Sequence, residues 1–340
     1  MTNKIAIATL VGQNQGNRLQ NYALQKVLAD ATGADVETLR VPYGPSWVKH
    51  VAKSVLRPIM PGKRWARFGA FDKQFIHYSR KSTADPSLDG EGYGLYFIGS
   101  DQVWNPSFGN TTDAEYLPQV AKGKKFAYAA SFGVSEITEN REHTAELLSQ
   151  ISRISVREDA AADIIEGLIG VRPQVVLDPT MLLKPDDWAA ITAKPKMDVP
   201  VGGYILKYVL GQNVPDDKAL AAAGETGCAI IDLKDEGLPV GPSEFVWLIA
   251  HAKFVCTDSF HASVFSVLSH TPFAIFERVS ANKDMSSRFD TLCGTFGLEC
   301  RRVRNGDLAA PIDWEGVDAK LEHARALSLD YLKGCLDERA

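Results

Sequence analysis

Residues 4–40 read KIAIATLVGQNQGNRLQNYALQKVLADATGADVETLR. Lys4–Leu10 is a short, nearly unbroken apolar run, as expected of a strand buried on both faces. A polar turn follows. Across Asn17–Asp30, Leu19, Ala23, Leu24, Val27 and Leu28 recur at helical steps and fall on one face. Apolar and polar residues then alternate through Asp35–Leu39, so the segment reads strand, helix, strand.

The same rhythm continues outward. Gly94–Ile98 and Lys125–Ala130 read as buried strands, Glu139–Ile151 as a helix, Arg153–Val156 as a strand, Glu158–Leu168 as a helix and Gln174–Leu177 as a strand. Lys194–Pro200 is a polar stretch bracketed by prolines, with the composition of a linker. Beyond it Gly203–Val209, Ala229–Leu233, Phe254–Thr257 and Phe273–Phe276 read as strands, separated by helices at Asp216–Gly224, Ser243–Ala250 and Ala262–Leu268. The tail from Trp314 to Leu336 is one long helix, with Val317, Leu321, Ala324, Leu327 and Leu332 apolar. Such alternation predicts parallel sheets with helices on both faces. The fold class expected is therefore α/β: a Rossmann-like domain over residues 1–195 with a basic helical insertion at about 45–85, and a second over residues 196–340 that ends in the helix.

A chain of 340 residues exceeds the usual single domain of roughly 100–200 residues, which agrees with two domains. Hydrophobic residues at 45% and charged residues at 23% exclude a disordered or collagen-like chain. The apolar run Ile5–Val11 is too short to span a bilayer and lacks a signal-peptide layout. Five cysteines, at 228, 256, 293, 300 and 335, form no C-x-x-C pair, which argues against structural zinc and a disulfide framework. A cytoplasmic protein is expected. The net charge of −5 gives no reason to expect a nucleic-acid partner. From Lys49 to Lys81, however, nine basic residues stand against one acid, Asp72. Val51, Val55, Leu56, Ile59, Met60, Trp65, Phe68, Phe71, Phe75 and Ile76 interleave with them, in a pattern of two helices broken at Pro58 and Pro61. The favoured reading packs these apolar residues on the first domain beneath a solvated basic face. The competing reading docks the segment peripherally against an anionic membrane or a lipid-linked acceptor.

Ligands of open parallel sheets bind beyond the carboxyl ends of the strands. Residues 99–106, 131–133, 157–158, 178–180 and 258–261 all follow predicted strands and are rich in polar and charged groups, which points to a cleft between two domains. His261 lies near the start of a helix, where backbone N–H groups favour an anion; there it either meets a phosphate or caps the turn with Asp258 and Ser259. Arg157 also opens a helix, a place where a cation gains nothing from the dipole, so a ligand anion or the acids Glu158 and Asp159 must explain it. Asp101 follows a strand as well, and Asp178-Pro179-Thr180 has the form of a turn. No G-x-G-x-x-G, G-x-x-x-x-G-K-[ST] or G-x-S-x-G motif is present, which removes the motif support for dinucleotide, P-loop and α/β-hydrolase chemistry.

These residues carry a resemblance. The stretches GNRLQNYALQ (16–25), GSDQVWNP (99–106), YAASFG (128–133), ISVRE (154–158), VLDPTMLL (176–183), TDSFHASVFSVLSHTPF (257–273) and SRFDTL (287–292) stand in the order found in the polysaccharide pyruvyl transferase family, which the chain resembles over nearly its whole length. The resemblance implies a GT-B-like pair of domains facing a cleft, with no metal and no cofactor other than phosphoenolpyruvate as co-substrate. It further implies transfer of pyruvate as a ketal onto a saccharide or lipid-linked saccharide, in the building of a capsule, exopolysaccharide or cell-wall glycan. His261 and Asp101 would be catalytic. Arg157, Ser259, Phe260, Arg18 and Arg288 would bind the donor, and Asn17, Trp104 and Asn105 the acceptor. Some members carry an arginine two residues before the histidine. Here that position is Ser259, and Arg18 or Arg288 is expected to supply the charge.

In the mechanism this implies, His261 delivers a proton to the enol methylene, since a free imidazole with a pKa near about 6.5 transfers protons in both directions around neutrality. Asp101 accepts a hydroxyl proton, and Arg157 holds the anionic end of the donor. On this reading His261→Ala and Arg157→Ala lose activity while the protein stays folded. The alternatives are a GT-B glycosyltransferase with a nucleotide-sugar donor and a non-catalytic saccharide-binding protein on the same scaffold.

Overall fold

The computed structural model describes residues 4–12, 14–41, 63–108, 112–211, 214–235, 237–278, 286–305, 308 and 310–338. In chain order the first elements are β1 (Lys4–Ala8), α1 (Gln15–Thr32), β2 (Asp35–Arg40), α2 (Lys63–Phe75), β3 (Tyr78–Ser82), β4 (Leu95–Ile98) and β5 (Lys125–Ala130). Next come α3 (Arg141–Ser149), β6 (Arg153–Val156), α4 (Asp159–Ile169), β7 (Gln174–Val175) and α5 (Pro185–Ala189). The remainder is β8 (Tyr204–Tyr208), α6 (Asp216–Ala222), β9 (Ala229–Asp232), α7 (Pro242–Ala250), β10 (Phe254–Thr257), α8 (Phe260–Leu268), β11 (Phe273–Ile275), α9 (Ser287–Phe296) and α10 (Trp314–Asp337).

The chain divides into two units. The first draws on residues 1–56, 72–183 and 323–340, the second on residues 57–71 and 184–322. The first unit holds a seven-stranded sheet in the order β3-β2-β1-β4-β5-β6-β7, with every pairing parallel. Its strand order reverses between β1 and β4, which makes the carboxyl ends of those two strands the place where a ligand crevice opens. The second unit holds a four-stranded parallel sheet, β11-β10-β8-β9, whose order reverses between β8 and β10.

Helix α1 starts and stops where its sequence says it should. Asn14 is the N-cap and accepts from the Gly16 N–H at 2.8 Å, while Gly33 closes the other end at φ 64° with its N–H on the Ala29 carbonyl. Leu19, Ala23, Leu24 and Leu28 are fully buried, as the periodicity predicts. Buried as well are Gln20, within the apolar stripe, Asn21 at its flank and Gln25 beyond it. Gln20 Nε2 donates to Thr9 Oγ1 at 2.9 Å, Thr38 Oγ1 donates to Asn21 Oδ1 at 2.7 Å, and Gln25 Nε2 donates to Thr38 Oγ1 at 2.7 Å. Polar bonds as well as apolar burial therefore fix α1 on β1 and β2.

Three boundaries differ from the sequence reading. The long stretch of the first unit ends at Leu183, not at 195, because the chain then enters α5, whose Trp188 packs edge-on against Phe265 of α8 at 4.8 Å. The segment 45–85 is not a helical insertion of the first domain throughout. Residues 42–62, with Pro58 and Pro61, lie outside the described residues, and Tyr78–Ser82 is the edge strand β3, paired to β2. The first part of α2 belongs to the second unit, where Arg64 donates to the Asp235 carbonyl at 3.0 Å and Arg67 meets Glu244 at 3.5 Å. Phe68 and Phe71 are buried, but they belong to the second unit and not to the first domain, on which the packed reading of the basic segment placed them. Helix α10 is present, but residues 323–337 return to the first unit. There Arg325 Nε donates to the Met181 carbonyl at 2.8 Å, Ser328 Oγ accepts from the Leu177 N–H at 3.0 Å, and the Tyr331 hydroxyl donates to the Ala127 carbonyl at 2.9 Å. Leu327, read as part of the apolar face, is 48% exposed. Among the described residues no helix is long and apolar enough to cross a membrane.

Candidate active site

In the first unit the predicted residues gather at the reversal point. Asp101 follows β4 in the left-handed region at φ 74°, a conformation that a residue other than glycine adopts at a cost of about 1–3 kcal/mol and that marks functional loops. Its backbone extends the sheet by one isolated parallel bridge to Ala130. Its carboxylate accepts a short bond from Asn17 Nδ2 and a 3.0 Å bond from the Gln102 N–H. Arg157, directly after β6, approaches the same carboxylate at 3.4 Å. Asn17 comes from the first turn of α1, so the loops after β1, β4 and β6 converge on one acid.

Arg157 is placed differently from the expectation. Its side chain is 1% exposed and surrounded by acids: Asp178 at 2.9 Å, Asp101 at 3.4 Å and Glu158 at 3.9 Å. Burial works against the charged guanidinium, yet Asp101, then Asp178 and Glu158, hold its pKa above the ordinary arginine value. The acids are themselves held. Asp178 accepts from Thr180 Oγ1 at 2.7 Å and Ser100 Oγ at 3.1 Å, and Glu158 accepts from Ser131 Oγ at 2.6 Å. Arg157 thus positions Asp101 from behind, with its charge engaged by three acids. Arg18 is likewise drawn into the scaffold. It grips Asp72 through Nε at 2.9 Å and Nη2 at 3.0 Å and donates to the Val11 carbonyl at 2.8 Å, which ties down the loop between β1 and α1.

Trp104 and Asn105, expected at the acceptor, are buried. The Trp104 ring stacks on Tyr116 at 5.3 Å and leans on Phe132 at 5.4 Å. Asn105 turns inward to Gln102 through a short Nδ2–Oε1 bond. Gly133, at φ 64°, closes this wall, since a Cβ there would fall 2.1 Å from Gln102 Oε1. The stretches GSDQVWNP and YAASFG therefore build the support of Asp101.

In the second unit Ser259, Phe260 and His261 lie between β10 and α8, at that sheet's own reversal point. Ser259 is the N-cap residue, but its side chain makes no capping bond; its N–H donates to Thr257 Oγ1 at 2.9 Å. His261 sits in the first turn of α8 with Phe260 edge-on at 5.5 Å. Arg288, near the start of α9, places its guanidinium 5.7 Å from the centre of the Phe260 ring. Asp258 does not cap α8. Its carboxylate spans the gap between β10 and β8, accepting from the Leu210 N–H at 2.6 Å and the Gly211 N–H at 2.7 Å.

Sequence reasoning missed Arg278, two residues beyond the predicted end of β11, which pairs with Asp258 at 3.1 Å. The rule that singled out Asp101 and His261, a charged residue just past a strand, would have reached it too. It also missed Tyr208 at the end of β8, whose hydroxyl pKa burial pushes up to about 12. Among the described residues no group of three or more His, Cys, Asp or Glu is placed to hold a metal ion.

The family model described as polysaccharide pyruvyl transferase matches residues 14–278. No curated protein matches the chain significantly. A putative UDP-N-acetylglucosamine 2-epimerase from Listeria monocytogenes is 11% identical, with 99% of this chain and 96% of that chain covered at a TM-score of 0.50. UDP-GlcNAc 2-epimerase from Neisseria meningitidis is 6% identical over 99% and 93% of the two chains, with a TM-score of 0.46. The ADP-heptose LPS heptosyltransferase II of E. coli is 9% identical over 94% and 99%, with a TM-score of 0.38. The Listeria likeness speaks to fold alone and agrees with the GT-B-like α/β class. The family match covers most of the chain and includes the loops that carry Asn17, Asp101, Arg157 and His261; the chain belongs to the polysaccharide pyruvyl transferase family.

Proposed function

We propose that the protein moves the enolpyruvyl group of phosphoenolpyruvate onto two hydroxyls of a saccharide as a ketal and releases phosphate, with no metal or further cofactor. The family supports a transferase of polysaccharide biosynthesis. The observation that carries the donor assignment is His261 in the first turn of α8, at the reversal point of a parallel sheet, with the Arg288 guanidinium on the ring of the adjoining Phe260. Backbone N–H groups at such a helix start, together with a guanidinium, suit an anion, and the imidazole suits proton transfer to it.

The reaction balances with these residues in the following roles. His261 protonates the methylene carbon, and a cation stabilised by the enol oxygen forms at the adjoining carbon. One sugar hydroxyl bonds to that carbon and gives its proton to Asp101, whose carboxylate Asn17 and Arg157 hold in one orientation. The carbon–oxygen bond to phosphate then breaks, and the second hydroxyl adds and loses its proton. One proton enters and two leave, so ketal and hydrogen phosphate account for every atom. A lipid-linked saccharide fits the acceptor role as well as a free one. Membrane docking by the basic segment is not part of this reading, because Phe68 and Phe71 point into the protein.

The test incubates the protein with phosphoenolpyruvate and a panel of galactosides and N-acetylhexosaminides, following phosphate release and a mass gain of one pyruvate less one water. A saturating donor also raises the melting temperature, since binding at 100 Kd adds about 2.7 kcal/mol. If only a nucleotide sugar raises it and no ketal forms, the protein is a glycosyltransferase on this scaffold.

A further inference from the structure

We propose that Arg278 binds the phosphate group of the donor; the proposal rests on the donor reading above and adds the residue that recognises it. The side chain is built into the reversal point of the second sheet. Its Nε donates to Asp258 Oδ2 at 3.1 Å, and its Nη2 donates to Asp258 Oδ1 at 3.2 Å and to the Asp258 carbonyl at 3.1 Å. That carbonyl belongs to the peptide leading into Ser259, so the guanidinium lies beside the residue that starts α8. One edge of the guanidinium is spent on Asp258. Nη1 makes no hydrogen bond among the described residues, and the side chain keeps 23% exposure while Asp258 has none.

The surroundings fit an anion. Asp258 already accepts the Leu210 and Gly211 N–H groups, so its charge is shared among three donors groups and Arg278 is one of them. Arg288 adds a second guanidinium one residue further on, over Phe260. Two guanidinia thus flank the segment that carries the His261 imidazole, Arg278 on Asp258 and Arg288 on Phe260, at the start of a helix that itself favours negative charge. A guanidinium held by a buried carboxylate is oriented in advance, which suits charge-assisted bonding to phosphate oxygens. Gly211 makes room for it, because a Cβ there would lie 2.7 Å from Arg278 Cγ, near the root of the side chain.

The experiment titrates the full chain calorimetrically with phosphoenolpyruvate, inorganic phosphate, pyruvate and a UDP-hexose, at fixed ionic strength. It compares the unaltered protein with Arg278→Gln, Arg278→Lys and Gly211→Ala. The expected result is a loss of about 10- to 100-fold in affinity for phosphoenolpyruvate and for phosphate in Arg278→Gln, the scale of a lost charged hydrogen bond. Arg278→Lys and Gly211→Ala lose less, and pyruvate binds all four proteins equally. Equal phosphate affinity in Arg278→Gln and the unaltered protein overturns the assignment. So does an equal loss for pyruvate, which would make Arg278 a carboxylate ligand. If Arg278→Gln melts early because Asp258 is left without its partner, Arg278→Lys decides: weaker phosphate binding at an unchanged melting temperature supports the assignment, and unchanged binding sinks it. A protein that binds the UDP-hexose and not phosphoenolpyruvate refutes the donor reading separately, and Arg278 is then judged by whether Arg278→Gln loses the diphosphate.

Discussion

A guanidinium enclosed by three acids behaves differently under mutation from one that meets a ligand. Arg157→Ala leaves Asp101, Asp178 and Glu158 buried without their cation, and breaking a buried pair of this kind costs about 3–5 kcal/mol. Denaturant unfolding of Arg157→Ala should therefore show a large loss of stability alongside the loss of turnover, contrary to the expectation from sequence that the variant stays fully folded. His261→Ala separates the two effects: turnover falls by a factor of about 100 or more while the melting temperature stays near that of the unaltered protein. A second buried charge makes a pH prediction. Lys125 is fully buried on β5 with its ammonium on the Leu117 carbonyl at 2.8 Å, and burial lowers its pKa from 10.5 to about 8. The unfolded chain thus binds more protons between those values, so this lysine destabilises the fold fully below about pH 8 and ceases to do so above 10.5. Lys125→Met should be more stable at pH 7, by an amount on the order of 3 kcal/mol, and should lack the rise in stability that the unaltered protein shows between pH 8 and 10. Asp101, His261 and Asp178 were legible because each follows a strand, and the same rule reaches Arg278. Their pairings, Arg157 with Asp178 and Arg278 with Asp258, were not, since ion pairs that join separate strand ends leave no periodic trace in the sequence.

At the scale of elements, helical period located α1 but misjudged how much of it is buried. Period places Gln20 within the apolar stripe, Asn21 at its flank and Gln25 away from it, yet all three are buried, because Thr9 just after β1 meets Gln20 and Thr38 of β2 meets Asn21 and Gln25. Thr38→Val keeps the shape and removes a hydroxyl that both donates to Asn21 and accepts from Gln25. Two buried amides then lose a partner at about 1–3 kcal/mol each, so equilibrium unfolding should show a loss of at least about 2 kcal/mol. An unchanged midpoint would mean that α1 is held by apolar contact alone. Edge strand β3 escaped the sequence reading because Tyr78–Ser82 is Tyr-Ser-Arg-Lys-Ser, with no apolar alternation: its one buried side chain is that of Ser79, and charged residues such as Arg80 and Lys81 are common on an outer strand.

For the whole molecule, the order of elements along the chain predicted two α/β units, but it could not say that the last helix is shared between them. The apolar positions of α10 specify a buried face without specifying its partner. That partner changes along the helix. Residues before His323 belong to the second unit, and the remainder places Arg325, Ser328, Tyr331 and Cys335 on the first, where their hydrogen bonds reach the carbonyls of Met181 and Ala127 and the N–H of Leu177. Those contacts lie behind β5 and beside Asp178, the acid that anchors Arg157. A chain ended after Glu322 would leave Tyr128, now covered by Tyr331 at 6.2 Å, open to water together with the Leu177 backbone. The expected outcome is cooperative loss of the first unit, read as a large fall in melting temperature and in helical circular dichroism relative to a chain ended after Glu338. If the shorter chain melts like the longer one, the terminal turns of α10 do not stabilise the sheet that carries Asp101.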